Sequence, residues 1–314
     1  MTSTYLRHVA IFFCLATLQS ACGRALRSHP NQVAQVIPNV IFFTGPWKPQ
    51  AVVDGSRKVV PQHTEFRYYD NDQMAQSVHE ISQELMEQGV SGAEKAFQEL
   101  RPVAFQADLW RYMILWQQGG IYLDAKIMLT APLASWVNQQ SDEMAACWDN
   151  PEAYGQAGAF YWNAMLAARK HNPSLLSAIK RIISNTEKHY YGEDEPEPEK
   201  PFFDHRDLSI TGPVMLTRVL NTTDTTVATT VPRVNCTFLG AGRGQIVGRD
   251  GTVIAKLNQR VYGAMHRCER CNVYEELFGK RQIYCNEPGP PCSTFSLSQT
   301  LKGKPKQAYR SFVI

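Results

Sequence analysis

The amino-acid sequence predicts an α/β fold in which a mostly parallel sheet is flanked by helices. Two observations support this prediction: short apolar runs typical of buried strands alternate with amphipathic helical segments, and turn-forming residues separate them. A strand, helix, helix, strand order requires crossover connections, and such connections join parallel strands. About 290 residues follow the N-terminal segment, which suffices for one large domain.

Residues 1–23 at the N-terminus have the layout of a signal peptide. Arg7 precedes the apolar run Val9–Leu18, and the small residues Ser20 and Ala21 follow it. The run is about ten residues long, whereas a membrane-spanning helix needs roughly 20. We therefore expect a cleaved signal peptide, with a short signal anchor as the alternative. Either one predicts a location in the Golgi or ER lumen or outside the cell. No later segment of the sequence is apolar enough to span a membrane.

The first predicted elements of the domain are two strands and a helix. Val36–Thr44 is a mainly apolar run and Glu65–Tyr69 alternates in polarity, so both are expected to be strands. Asp70 or Asn71 is expected to cap a helix that extends to about Gly89.

The next segment combines a helix, a glycine stop and a strand. The capping-box spacing of Ser91 and Glu94 predicts a short helix. A longer amphipathic helix that contains Asp108 is expected next, and Gly119-Gly120 is expected to end it. Ile121–Leu123 then forms a strand that ends on Asp124. Ligands of open α/β sheets bind at the carboxyl ends of strands, so Asp124 is a site candidate by position.

Further strands and helices are predicted downstream. Met144–Trp148 and Ala157–Tyr161 are expected to be strands, and Asn163–Ala168 a short helix. Asn172, followed by a proline, is expected to cap a longer helix, and Val214–Leu220 forms another.

Charge and cysteine content restrict the classes of function. The net charge of +3 offers no electrostatic basis for a nucleic-acid partner. Sequons at Asn221 and Asn235 agree with a secreted glycoprotein. Outside the N-terminal segment there are six cysteines, and in an oxidising compartment they favour disulfide bonds. Zinc binding by the C-terminal group with His266 is the alternative. The six are Cys147, Cys236, Cys268, Cys271, Cys285 and Cys292.

Several motifs, in their order along residues 37–266, resemble glycosyltransferase family 32. This is the DXD-motif family that includes initiation-specific α-1,6-mannosyltransferases and lumenal α-1,4-glycosyltransferases. The most specific block is Ala107-Asp-Leu-x-Arg-Tyr112 followed by GGIYLDAK at Gly119–Lys126. The flanking fragments are Ile37-Pro-x-Val-Ile, Phe66-x-Tyr-Tyr-Asp70, Trp162-Asn-Ala, His171-Asn-Pro and Ile210-Thr-Gly-Pro213.

The resemblance implies a fold, a reaction and a domain plan. It implies a Rossmann-like GT-A domain at residues 32–267, followed by a disulfide-rich C-terminal extension at 268–314. It further implies retaining transfer of a hexose or N-acetylhexosamine from a UDP- or GDP-linked sugar. The acceptor would be a glycan on a glycoprotein or glycolipid, and Mn²⁺ the usual cofactor.

The resemblance also assigns roles to individual residues. Asp124 corresponds to the first acid of the DXD motif, as a catalytic residue and metal ligand. Asp108 and Arg111 share a helix face and correspond to the pair that grips sugar hydroxyls, with a purely structural ion pair as the alternative. Trp47 is a candidate for stacking on the nucleotide base, or else a core residue. Tyr122 is a further substrate-binding candidate, although a strand tyrosine more often packs than binds. His266 is the second candidate metal ligand.

Lys126 stands where the motif has its second acid. It shares a strand face with Asp124, and an ammonium repels a cation. Lysine could neutralise the diphosphate without a metal, Mn²⁺ could bind more weakly through Asp124 and His266, or the protein could be catalytically silent. A silent family member would act as a glycan-binding or nucleotide-sugar-binding protein.

Overall fold

The computed structural model describes residues 36–45, 47–149, 160–194, 206–222, 232–240, 244–261 and 274–292. Contacts divide the chain into Met1–Gln35 and Val36–Ile314, and all the described residues belong to the second unit. The predicted signal peptide lies outside the described residues.

Helices and strands alternate along the first two thirds of the unit, and strands dominate the rest. The strands are β1 Val40–Thr44, β2 Glu65–Tyr69, β3 Gly120–Leu123, β4 Ile127–Leu129, β5 Met144–Trp148, β6 Tyr161–Ala168, β7 Arg233–Leu239, β8 Gln245–Gly248 and β9 Val253–Leu257. The helices are α1 Gln50–Ser56, α2 Asn71–Glu87, α3 Ala93–Glu99, α4 Val103–Gln118, α5 Pro173–Glu187, α6 Pro213–Leu220 and α7 Tyr274–Gly279.

The described strands form one sheet in the order β2-β1-β3-β6-β5-β7-β8-β9-β4. This sheet and its flanking helices confirm the predicted α/β class. Parallel pairing, which was expected to predominate, joins β1 to β2 and β3, and β5 to β7. The other pairs are antiparallel, so the sheet is mixed. The connections from β7 to β8 and from β8 to β9 are short, and short connections join antiparallel strands.

Both faces of the sheet are buried. In β1, Phe42 belongs to one hydrophobic cluster and its neighbours Ile41 and Phe43 to another, because successive side chains point to opposite faces. The first cluster, which includes Phe42, also contains buried residues of α2 to α7. The second contains α1, β4 and the fully buried Trp136.

Two local predictions about helices are wrong. The segment Asn163–Ala168 belongs to strand β6, and every residue of β6 is buried. In a short apolar run, the pattern of polar and apolar residues cannot distinguish a buried strand from a helix. The capping box predicted at Ser91–Glu94 is absent, since Gly92 is the N-cap of α3 and makes no side-chain bond. Glu94 instead pairs with His79, at 3.0 Å.

Other predicted helix ends are confirmed. Asp70 and Gln73 form a capping box at the start of α2. The Asn172 side chain accepts hydrogen bonds from the first backbone amides of α5. Gly119 and Gly120 end α4 with φ angles of +66° and +107°.

The described part of the C-terminal region packs into the first cluster. Leu277, Ile283 and Tyr284 are buried there. Arg101 donates hydrogen bonds to the carbonyl oxygens of Gln282 and Glu287, at 2.6 and 2.7 Å. The predicted domain boundary at 267/268 lies outside the described residues and stays a prediction.

Among the described residues there are two disulfide bonds, Cys147–Cys236 and Cys285–Cys292. The first joins neighbouring strands β5 and β7. The second removes its two cysteines as zinc ligands, while Cys268 and Cys271 lie outside the described residues. Among the helices of the described ranges, none combines the length and apolarity needed to cross a membrane.

Candidate active site

Asp124 lies at the carboxyl end of β3, beside the carboxyl end of the parallel strand β1. Its backbone amide donates to the Ala164 carbonyl of β6, at 2.9 Å, which fixes its place relative to the sheet. The Asp124 side chain keeps 17% of its surface exposed. The acid is therefore held rigidly and remains accessible from solvent.

Three side chains surround the Asp124 carboxylate. The Tyr122 hydroxyl donates to Oδ1 at 2.9 Å. Nη2 of Arg111 lies 3.6 Å from the same oxygen. Nζ of Lys126 lies 3.2 Å from Oδ2. Lys126 thus faces the site, as predicted, but for a different reason: β3 ends at Leu123, and a turn at Asp124–Lys126 brings the two side chains together, so the expected alternation along a strand is wrong.

Arg111 connects the two candidate acids. Its side chain is only 7% exposed, and Nη2 lies 2.9 Å from Oδ1 of Asp108. Nη1 donates to the Asn163 carbonyl at 2.9 Å. The guanidinium carbon lies 4.6 Å from the centre of the Tyr122 ring, in cation–π geometry. The Asp108–Arg111 pair is therefore part of the Asp124 site as well as an ion pair within α4.

Asp108 accepts two further hydrogen bonds, from residues distant in sequence. The Thr211 hydroxyl donates to Oδ2 at 2.7 Å, and the Asn163 amide donates to Oδ1 at 3.0 Å. Asn163 also donates to the Tyr112 hydroxyl, at 3.1 Å. Asn163 and Thr211 were not predicted as site residues. Both occur in sequence fragments on which the family resemblance rests. Those fragments could have identified the two residues as site candidates from the sequence.

The pKa values of the two acids shift in opposite directions. Burial tends to raise the pKa of Asp124, but the nearby charges of Lys126 and Arg111 outweigh it, so the pKa lies below its usual value. Burial raises the pKa of Asp108 above its usual value, although Arg111 and the hydrogen bond from Thr211 oppose the shift. Two neighbouring carboxyl groups therefore differ in proton affinity.

The structure brings five predicted residues into one network: Asp108, Arg111, Tyr122, Asp124 and Lys126. Trp47 lies three positions beyond the end of β1 and is 36% exposed, which does not support the core alternative. It is not part of the polar network formed by the described residues. His266, the other candidate metal ligand, lies outside the described residues.

The described residues do not fit the expected Mn²⁺ site. They contain no group of three or more His, Cys, Asp or Glu side chains arranged to hold a metal. One oxygen of Asp124 accepts from Tyr122, and the other faces the ammonium of Lys126. With His266 not described, manganese binding stays a prediction.

Comparison with known proteins identifies the region that contains this network. Residues 49–142 match the model of a family described as a glycosyltransferase sugar-binding region containing a DXD motif. The match includes α4, β3 and Asp124-Ala125-Lys126, so this part of the chain is similar to DXD-motif glycosyltransferases, as the sequence motifs predicted. No curated protein matches the chain significantly.

Solved structures of glycosyltransferases are remotely similar. PaToxG glycosyltransferase is 16% identical over 59% of this chain and 68% of its own, with a TM-score of 0.35. The ligand-free glycosyltransferase domain of the YGT toxin is 12% identical over 59% and 78%, with a TM-score of 0.36. The apo-form glycosyltransferase GlyE of Streptococcus pneumoniae TIGR4 is 12% identical over 81% and 65%, with a TM-score of 0.32. These similarities are too remote to bear on the reaction.

Proposed function

We propose that the protein transfers a sugar from a nucleotide-sugar donor to a glycan acceptor, because residues 49–142 match the model of a glycosyltransferase sugar-binding region containing a DXD motif. The donor is a UDP- or GDP-linked hexose or N-acetylhexosamine, and the acceptor glycan belongs to a glycoprotein or glycolipid. The observation that supports this most strongly is the Asp108–Arg111–Asp124 network at the carboxyl end of β3.

The chemistry of the network suits sugar hydroxyls. Ionised carboxylates are acceptors only, and each offers more lone pairs than its present partners use. Asp108 and Asp124 keep 13% and 17% of their side-chain surfaces exposed, so a sugar can reach both. Arg111 is the buried cation between them and fixes their separation. In this proposal Asp124 contacts the donor sugar, and Asp108 with Arg111 orients it.

The transfer is proposed to retain the anomeric configuration. The bond between the anomeric carbon and the diphosphate oxygen breaks, and the electron pair leaves with the diphosphate. The acceptor oxygen bonds to the same face of the anomeric carbon, and its proton passes to the departing diphosphate. This sequence requires no enzymic nucleophile or separate general base.

A location in the secretory pathway belongs to the same proposal. The signal-like layout of residues 1–23 supports it. So do the two disulfide bonds, because thiols in the cytosol are kept reduced.

The experiment is a hydrolysis screen of UDP- and GDP-sugars with purified protein, with and without Mn²⁺. We expect turnover of at least one donor, and its loss by about 100-fold or more in Asp124→Ala. Asp54→Ala, which alters an exposed acid of α1, is the matched control and should keep full activity. A wild-type protein that turns over no donor would contradict the enzymatic proposal.

Lys126 favours one second candidate function. Its ammonium occupies a motif position that the family fills with an acid, and it pairs with Asp124. A catalytically silent protein that binds nucleotide sugar or glycan would show donor binding by calorimetry with no turnover in the same screen.

A further inference from the structure

We propose that the ammonium of Lys126 takes the place of the divalent cation beside the donor diphosphate, so that donor binding and transfer need no metal. This inference rests on the proposed glycosyltransferase function and specifies how the same site recognises its substrate. Its ligand class is the diphosphate of a nucleoside diphosphate sugar.

The first support is the position of Lys126. The family model that matches residues 49–142 describes a region containing a DXD motif, and the family resemblance places that motif at Asp124-Ala125-Lys126 in this chain. Ala125 is 3% exposed and belongs to the interior, while the flanking side chains meet at 3.2 Å. The third motif position therefore faces the same site as the first, with a cation in place of an acid.

The second support is how firmly the backbone of Lys126 is held. The Ile127 amide donates to the Asp124 carbonyl at 2.8 Å, which closes a tight turn. The Asn258 amide donates to the Lys126 carbonyl at 2.7 Å. β4 begins at the next residue and pairs with β9. The fold therefore sets the backbone position from which the Lys126 side chain extends towards Asp124.

The third support is charge. The site contains two carboxylates, Asp108 and Asp124, and two cations, Arg111 and Lys126, which balance formally. Aspartate in place of Lys126 would lower the charge by two units, the amount that one divalent cation supplies. Lysine in place of aspartate at position 126 therefore changes the charge of the site by as much as a bound divalent cation would. The positive charge of Lys126 would also repel a metal ion at this site.

The fourth support is the bonding capacity of the ammonium. It carries three N–H donors, which can bond to several oxygens at once, and it lies 3.2 Å from Oδ2 of Asp124. The Lys126 side chain keeps 24% of its surface exposed, so a diphosphate can approach it. When the bond from the anomeric carbon to the diphosphate breaks, negative charge develops on the leaving oxygen. A preorganised cation stabilises that charge without transferring a proton.

Calorimetric titration of UDP and GDP into the purified wild-type chain tests the inference. We expect one of them to bind with the same affinity, within about twofold, in EDTA and in Mn²⁺. Lys126→Ala should weaken diphosphate binding by about tenfold or more and leave binding of the unphosphorylated nucleoside unchanged. Lys126→Arg should retain most of the affinity in EDTA. Lys58→Ala, which removes an exposed lysine, is the matched control.

Lys126→Asp should convert the site into one that binds the diphosphate in Mn²⁺ and not in EDTA. Thermal unfolding verifies that each variant is folded, and the EDTA and Mn²⁺ titrations of the wild type decide the question even if a variant is not. Wild-type binding that is tenfold tighter in Mn²⁺ than in EDTA overturns the inference. So does unchanged binding by folded Lys126→Ala. In both cases donor turnover would still support the proposed function, whereas failure to bind or turn over any donor overturns both.

Discussion

Arg111 illustrates how much of the site depends on the shape of one side chain. Its guanidinium simultaneously faces Asp108, the Asn163 carbonyl and the Tyr122 ring. A lysine at this position would carry the same charge but cannot present two donors in a fixed plane and stack at once. The residue therefore has to be arginine for reasons of geometry as well as charge.

Arg111→Lys is expected to lower the free energy of unfolding by about 2–4 kcal/mol, because buried acceptors lose partners. It should also abolish most donor turnover, since the two acids are no longer held apart at a fixed distance. Urea denaturation and the hydrolysis assay measure the two effects. Arg57→Lys, at an exposed position over Phe66, is the control. An Arg111→Lys variant as stable as the wild type would show that the buried contacts of the guanidinium contribute little.

The pH dependence of stability should report the contact between Lys126 and Asp124. Burial raises the pKa of Asp124 and Lys126 is the largest opposing influence, so removing the ammonium raises the pKa in the folded protein. The wild-type group, with its lowered pKa, stabilises the fold above its unfolded-state pKa of about 3.9, and this stabilisation is lost as pH falls through the folded pKa.

Lys126→Met should therefore be less stable than the wild type at neutral pH. The difference should shrink as pH falls through the Asp124 pKa of the variant, and vanish below that of the wild type. Urea denaturation at a series of pH values measures it. A difference that stays constant with pH would mean that the two side chains do not interact in solution.

Sequence reasoning identified the residues of this site that lie close together along the chain. Asp124 was indicated by its position at the end of a predicted strand, whereas Asp108 and Arg111, on the preceding helix, were assigned from the family resemblance. Asn163 and Thr211 reach the same carboxylate from other parts of the chain. Local periodicity contains no information on which distant strand or turn will meet a given helix.

At the scale of elements, the junction between α4 and β3 places the site. Gly120 has a φ of +107°, and a Cβ there would lie 2.6 Å from Cγ1 and 2.9 Å from the carbonyl oxygen of Val40. A residue with a Cβ would be strained at this φ angle and would also clash with Val40. The glycine thus lets β3 approach β1 closely enough to pair.

Gly120→Ala is expected to lower the free energy of unfolding by about 3 kcal/mol or more, through backbone strain and the clash with β1. Gly89→Ala is a matched control, because its φ is also positive, at +75°, but a Cβ would meet nothing within 4 Å. The control should lose only about 1–2 kcal/mol. Chemical denaturation compares them, and equal losses would mean that the contact with Val40 relaxes without cost.

Strand β6 shows where element prediction failed. Its side chains enter both hydrophobic clusters, with Leu166 in one and Ala167 in the other, although Ala164 and Met165 both belong to the second, where the register with β5 shifts. A strand buried on both faces shows no alternation of polarity, so the sequence gives no clue to its period. The sequence does indicate the turn between β8 and β9, because Asp250-Gly251 is a residue pair typical of β-hairpin turns. In the structure, Gly251 adopts the positive φ that such a turn requires, +81°.

At the scale of the whole molecule, the α/β class was predictable because it depends on the alternation of elements. The directions of pairing depend on which strands become neighbours. β6 lies between β3 and β5, although it follows both in sequence, and pairs antiparallel with each. Such an insertion is decided by the packing of the complete sheet.

The two disulfide bonds should differ in their contribution to stability. Cys147–Cys236 spans 89 residues and Cys285–Cys292 spans 7. Loop-closure entropy gives about 4–5 kcal/mol for the longer loop and about 2–3 kcal/mol for the shorter. The Cys147→Ala/Cys236→Ala variant should therefore unfold at a lower urea concentration than Cys285→Ala/Cys292→Ala. The reverse order would show that the short bridge holds more native structure than its loop length implies.

Tyr284 has a consequence for the order in which the chain becomes structured. It is completely buried, and its hydroxyl donates to the carbonyl oxygens of Asn185 and Tyr190. The residues around it fill the same interior as Phe42, near the other end of the unit. A growing polypeptide on the ribosome therefore cannot close this interior until residue 284 has left the exit tunnel. Until then, the elements that carry the candidate site keep part of their apolar surface exposed to solvent.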